Sequence, residues 1–211
     1  MEKVEELKGT LCNVRIAHRI IHDYQQRMLD LVRFIATKLD FSLNEGHKYF
    51  SHDITKKRNQ NLNIHENMWA WDFLYSYVFE YYLGDMELDD GSSIAISIIQ
   101  YSDTGYYDNT GNDRQNLETF AKEEDSISKL LFIIERVPKK KNWVWDIDKI
   151  VENKEYASKK HSRTVLEKNG CTQGLYSFPI ERFIDEYSSI KALKEFLQFC
   201  KEDLDIELEI V

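Results

Sequence analysis

The chain has 211 residues, with 37 Asp and Glu against 28 Lys and Arg and a net charge of −9. That acidic balance argues against a whole-surface nucleic-acid binder. A chain of this length buries roughly 70% of its unfolded surface, so it needs neither a disulfide nor a structural metal to fold. The three cysteines, Cys12, Cys171 and Cys200, form no C-x-x-C pair, which argues against a zinc ribbon or a disulfide framework and suits a reducing, cytoplasmic setting.

The opening residues MEKVEELKGT hold no apolar signal segment. The N-terminal third reads as one helix from about residue 10 to 39. Leu7, Leu11, Val14, His18, Ile21, Gln25, Met28, Val32, Ile35 and Leu39 recur in steps of four and three along one face. Ala17, Ile20, Tyr24 and Leu31 widen the stripe into a core-facing surface, and Gly9 marks a break or a start. Such a helix is roughly 45 Å long, so it spans the body or reaches a partner. His18 and His22 lie four apart, but HRIIH lacks the glutamate of H-E-x-x-H and has no third ligand nearby. Arg15, Arg19, Arg27, Arg33 and Lys38 make the flank of this helix basic.

Residues 41–66 are polar and aperiodic, a loop with a short strand at Tyr49-Phe50. The aromatic run from Trp71 to Leu83 favours a strand. The chain's longest mostly apolar run, near Trp69 to Leu83, holds Asp72 and Glu80 and is too short to cross a bilayer. Asp89-Asp90-Gly91 signals a turn into Ser93–Tyr101, whose apolar residues alternate as in a hairpin strand. Residues 103–127 form a long polar connection with a short helix near Leu117 to Lys122. Lys129 to Val137 is apolar on both faces, as a central strand requires. WAWD at 69–72 and WVWD at 143–146 share only strand periodicity, since the residues that follow diverge at once. The Lys-rich segment Asp146–Lys168 reads as helical. Gly174–Glu181 reads as an edge strand because of Pro179. Ser188 and Ser189 make an N-cap for a helix to about Cys200. The tail LDIELEIV alternates as a last strand, with a frayed helix end as the competing reading.

The expected fold is therefore α+β over residues 1–211 as a single domain. A long helix at 1–40 packs on a mainly antiparallel sheet at 66–137, and 138–211 complete it with smaller helices.

Charge is unevenly spread. Residues 66–135 carry 15 acids against 3 bases, and 136–169 carry 10 bases against 5 acids. The loop DTGYYDNTGNDR matches no calcium loop, and no phosphate cradle or nucleophile motif is present. The leading expectation is a non-enzymatic interaction protein with an acidic surface for a basic partner, and a homodimer through the long helix. Its binding residues are expected to be Trp69, Trp71, Tyr106, Tyr107, Asp108 and Asp113, with no cofactor. A competing reading gathers Asp72, Glu80, Asp103 and Glu135 around a divalent metal for phosphoester chemistry. A third is a ligand-sensing domain with an aromatic pocket.

Overall fold

A computed structural model describes residues 2–50, 70, 77–109 and 113–211. The first helix, α1 (Glu2–Lys38), runs through Gly9 without a break. β1 (Glu45–Tyr49), β2 (Val78–Glu87), β3 (Ser93–Tyr101) and β4 (Lys129–Val137) follow, with the short α2 (Gly105–Asp108) between β3 and β4. Then come α3 (Ile147–Val151), α4 (Lys154–Ala157), β5 (Arg163–Lys168), β6 (Cys171–Pro179) and α5 (Glu186–Leu204). The strands make one antiparallel sheet in the order β1-β2-β3-β4-β6-β5, so the fold is α+β as the sequence implies.

Strand alternation sends each strand's residues to two cores. On one face, Tyr81, Leu83, Ile94, Ile96, Ile98, Phe132, Ile134 and Phe178 meet α5 and the C-terminal half of α1. From α1 these are Met28, Val32, Ile35, Ala36 and Leu39, and from α5 Leu193, Phe196, Phe199 and Cys200. Gly174 on β6 makes this approach close, because a Cβ there would stand 2.5 Å from Leu204 and 2.8 Å from Phe199. On the other face, Val78, Ile99, Tyr101, Leu131, Ile133 and Leu175 pack under α2, α3 and α4. β4 is buried on both faces for this reason, in keeping with its unbroken apolar run. The edge strands β1 and β5 are short and carry Glu45, His47, Lys48, Arg163, Glu167 and Lys168, which discourages edge-to-edge pairing.

Several expectations are corrected. The strand expected at Tyr49-Phe50 lies earlier, at Glu45–Tyr49, and Phe50 leaves it with φ +72°. The strand expected from Trp71 begins, within the described residues, at Val78. Asp146–Lys168 is two short helices and the edge strand β5, because Asn153 caps a new helix and the pattern from Arg163 changes to alternation. β6 is internal: Pro179 is its last residue, where the missing N–H is harmless, and the next N–H, from Ile180, bonds to the Ser128 carbonyl. The cap of α5 is Asp185, whose carboxylate accepts the Ser188 N–H at 2.7 Å. The tail is no strand. Asp205 closes α5 in the left-handed region, and Ile206, Leu208 and Ile210 then alternate inward against the first core, where among the described residues no strand pairs with them.

Candidate functional site

The stripe on α1 divides in two. From Tyr24 onward it is covered by the sheet, whereas every residue from Lys3 to Asp23 is exposed, an arm of about 30 Å. Val4 and Leu7 each keep 56% of their surface open, Leu11 and Val14 46%, and Ile21 38%. Ile16 and Ile20 add apolar surface on the flanks. Of the two alternatives the helix's length left open, spanning the body or reaching beyond it, the structure shows the second for its first half. A contiguous apolar stripe of this size on a surface marks an interaction site rather than scattered exposure. The flanks carry charge: Glu5 pairs with Lys8 at 2.6 Å and Asp23 with His22 at 3.1 Å.

A hydrogen-bond ring fixes the arm where it leaves the body. Gln25 donates to the Tyr81 hydroxyl at 2.8 Å, and that hydroxyl donates to the Gln100 carbonyl oxygen at 2.7 Å. The Gln100 amide donates to the Ser102 and Tyr24 hydroxyls, and Tyr24 donates to Ser102. Gln25, a polar residue within the apolar stripe, is there because β3 presents Gln100 to it. Burial raises the Tyr24 and Tyr81 phenols above their ordinary range, so all these groups stay neutral and the ring carries no charge.

The residues expected to bind a partner fall in different places. Trp69, Trp71 and Asp72 lie outside the described residues. Tyr106 and Tyr107 are not surface contacts but second-core residues, ringed by Phe50, Tyr101 and Phe120. The Arg114 guanidinium lies 4.7 Å over Phe50 and holds Glu152 at 3.1 Å, closing that core from outside. Asp108 is a structural acceptor for the Ser158 hydroxyl at 2.7 Å and the Lys159 N–H at 2.9 Å. Among the described residues of this set Asp113 alone is exposed, and it lies with exposed Glu118, Glu123, Glu124 and Asp125 on one acidic segment.

The three described carboxylates of the metal reading do not gather. Glu80 accepts from Tyr49 at 2.7 Å and Ser97 at 2.6 Å. Glu135 accepts the Val144 N–H at 3.2 Å, and burial raises its pKa. Asp103 accepts the Gly105 N–H at 2.7 Å and faces Tyr77. Glu80 stands opposite Ile99 and Glu135 opposite Ala95, which places them roughly 16 Å apart, far beyond a shared ion. Among the described residues no group of three His, Cys, Asp or Glu could hold a metal.

The WVWD segment is irregular chain rather than strand: Trp143 is exposed, while Trp145 lies under Lys168 with its indole nitrogen buried. A cavity of about 280 Å³ near β4 is lined by Asp90, Ser92, Arg136, Lys139 and Thr172. Its arginine is already committed to Asp90 at 2.6 Å and to the Asp205 carbonyl at 2.8 Å.

One buried cluster escaped the sequence reading. Lys129, at the first position of β4, is fully buried and donates to the carbonyls of Tyr156 and Ser158. Its ammonium is 3.5 Å from the Ser177 hydroxyl, which is 2.7 Å from His161 Nδ1. Burial pushes Lys129 down to about 7, and burial together with that lysine pushes His161 down to about 4. The sequence signal was a lysine directly before the apolar run 130–134. The cluster ties α4 and the start of β5 to the sheet.

Residues 4–205 match the PM0109 family, a span that takes in both the arm and the sheet. The chain belongs to the PM0109 family. No curated protein and no solved structure matches it. In this PM0109-family chain the arm therefore lies within the matched span rather than outside it, and among the described residues no helix is long and apolar enough to cross a membrane.

Proposed function

We propose that this PM0109-family protein is a non-enzymatic interaction protein and that the exposed arm of α1 is its binding element. The observation that carries this reading is the apolar stripe of Val4, Leu7, Leu11, Val14 and Ile21, open to solvent on a helix exposed all round. A free helix of this length is marginal in water, the more so with Gly9 and the β-branched Val4, Thr10, Val14, Ile16, Ile20 and Ile21 in it. Covering the stripe stabilises both the helix and the complex, as amphipathic helices do when laid against a partner. Buried, unpaired Cys171 and Cys200 fit a reducing compartment.

A photo-crosslinking residue placed at Leu11 in the native host tests this. Adducts are expected at Leu11 and not at Asn13, which points away from the stripe. Absence of any adduct at Leu11, with this chain or another, contradicts the reading.

The exposed acids Asp113, Glu118, Glu123, Glu124 and Asp125 support a second surface, one that steers a basic partner. Association through it weakens steeply with salt, because exposed charges are screened beyond about 8 Å at physiological ionic strength.

A further inference from the structure

We infer that His161 is a latch that holds the edge strand β5 on the sheet while its ring is neutral and lets it go when the ring takes up a proton. The inference is independent of the binding role of the arm. β5 is thinly held. Its residues are exposed or half-buried throughout, and β6 is its one neighbour in the sheet. Leu166 reaches the second core, while Val165 stays open to solvent. Arg163 pairs with Asp203 at 3.4 Å in an exposed setting, where an ion pair contributes little. His161 fixes the turn that leads into the strand. Its Nδ1 is 2.7 Å from Ser177 Oγ on β6, and its Nε2 is 3.1 Å from Thr164 Oγ1 on β5 itself. The Ser177 N–H donates to the Ser162 carbonyl at 2.7 Å beside it.

The count of protons fixes which form of the ring does this. Below pH 7 Lys129 is mainly the ammonium. It donates to the Tyr156 and Ser158 carbonyls and faces Ser177 Oγ at 3.5 Å. An ammonium only donates, so the Ser177 oxygen accepts from it and sends its single O–H proton to His161. Nδ1 is then the bare, accepting nitrogen, and Nε2 carries the N–H and donates to Thr164. Acid protonates the bare nitrogen. Nδ1–H and the Lys129 ammonium then aim donors at one hydroxyl oxygen, whose own proton loses its acceptor. Two cations also stand within about 6 Å of each other across that oxygen, partly out of water.

The surroundings do not offset the added charge. Asp108 of α2 is the carboxylate that acts on Lys129, and its oxygens already accept from Thr104, Ser158 and the Lys159 N–H. Tyr101 of β3 lies 5.2 Å from the Lys129 ammonium and gives its hydroxyl to the Val151 carbonyl. Tyr156 of α4 meets the imidazole edge-on, with ring centroids 5.5 Å apart. Lys159, Lys160 and Arg163, beside His161 in the chain, add only positive charge. Burial and the charge of Lys129 therefore keep the latched ring neutral down to about 4. In a released β5 the ring returns to the ordinary value near 6.5, so protonation favours the released form below that pH. Release leaves β6, otherwise internal, as a free sheet edge of the kind on which an added strand pairs.

Amide hydrogen exchange of the full chain, read by NMR as protection factors at pH 7 and pH 5, tests the latch. β5 is expected to exchange ahead of β4 at both pH values, through an opening of its own. That opening is expected to grow about twentyfold from pH 7 to pH 5, the factor for a ring that titrates near 6.5 when released and at about 4 when latched. In His161→Asn an amide oxygen takes the Ser177 proton and does not titrate, so β5 protection is expected to stay level over the same range. The wild-type ring at pH 6.5 is expected to show a bare Nδ1 and a protonated Nε2 in its nitrogen-15 shifts, a readout that stands even where the asparagine variant does not fold. A ring protonated at Nδ1 at that pH overturns the inference. So does β5 protection that is level in wild type, that falls as steeply in His161→Asn, or that matches β4 in a single shared opening.

Discussion

Lys129 and His161 give the molecule a pH signature that can be worked out in sign. Both are bases whose folded pKa lies below the unfolded value, so the unfolded chain binds the proton first as pH falls. For His161 the window runs from about 4 up to the ordinary histidine value near 6.5, and stability rises with pH across it. For Lys129 the window runs from the ordinary lysine value near 10.4 down to about 7, and stability likewise rises with pH across it. Denaturant titrations at pH 7, 8 and 9 are expected to show rising stability, with a slope of at most about 1.4 kcal/mol per pH unit for one proton. In Lys129→Met that slope should flatten; an unchanged slope contradicts the assignment. Two aspartates on the same connection separate structure from surface. Asp108→Ala leaves the Ser158 hydroxyl and the Lys159 N–H without their acceptor and is expected to cost about 1–3 kcal/mol. Asp113→Lys, exposed and with a carboxylate that among the described residues accepts the Gln115 N–H two residues on, is expected to change stability by less than about 0.5 kcal/mol. At this scale the sequence misled: Asp108 and Asp113 look alike in a polar run, and only the fold puts one of them against α4. Tyr106 and Tyr107 were misplaced for the same reason, because the short α2 that turns both rings inward has no periodicity to read.

Among the elements, those with long periodic patterns were legible and those without were not. The α1 stripe, the alternation of Ser93–Tyr101, the two-faced apolarity of β4 and the amphipathic α5 all declare themselves through period. The segment between Asp146 and Lys168 did not, since its helices are five and four residues long, too short to show one. The tail's alternation reported burial correctly but not pairing, because alternation records which side chains point inward and says nothing of a neighbouring strand. Two variants probe α1 directly. Gly9 has nothing within 4 Å of a Cβ, so Gly9→Ala is expected to stabilise the arm by about 1 kcal/mol, seen as greater helicity by far-UV circular dichroism. Gln100→Leu removes the centre of the ring that anchors the arm, leaves Tyr81, Tyr24 and Ser102 short of partners, and is expected to destabilise the fold by about 1–3 kcal/mol. A neutral Gln100→Leu would mean that packing from Met28 onward fixes the helix without the ring.

Across the whole molecule, the division of α1 into a packed half and an open half organises everything else. The stripe itself was legible in the sequence, as was the alternative that it reaches beyond the body, but the place where it divides was not. Sequence period shows that a helix has an apolar face and cannot show how far the body that covers it extends, which depends on where β3 places Gln100 and where the sheet ends. The acidic excess was also legible, and the fold concentrates part of it at 113–125 while tying Asp90 to Arg136 and Glu80 to Tyr49 and Ser97. The central claim is the proposal that the open half of α1 is a binding element. Amide hydrogen exchange of residues 3–23, measured on the purified chain and again in extract of the native host, reads this most directly. The account predicts protection of the arm that appears in the extract and that Leu11→Asp abolishes, while β4 stays protected throughout. Exchange of the arm at the same rate in both settings, in wild type and Leu11→Asp alike, would contradict it.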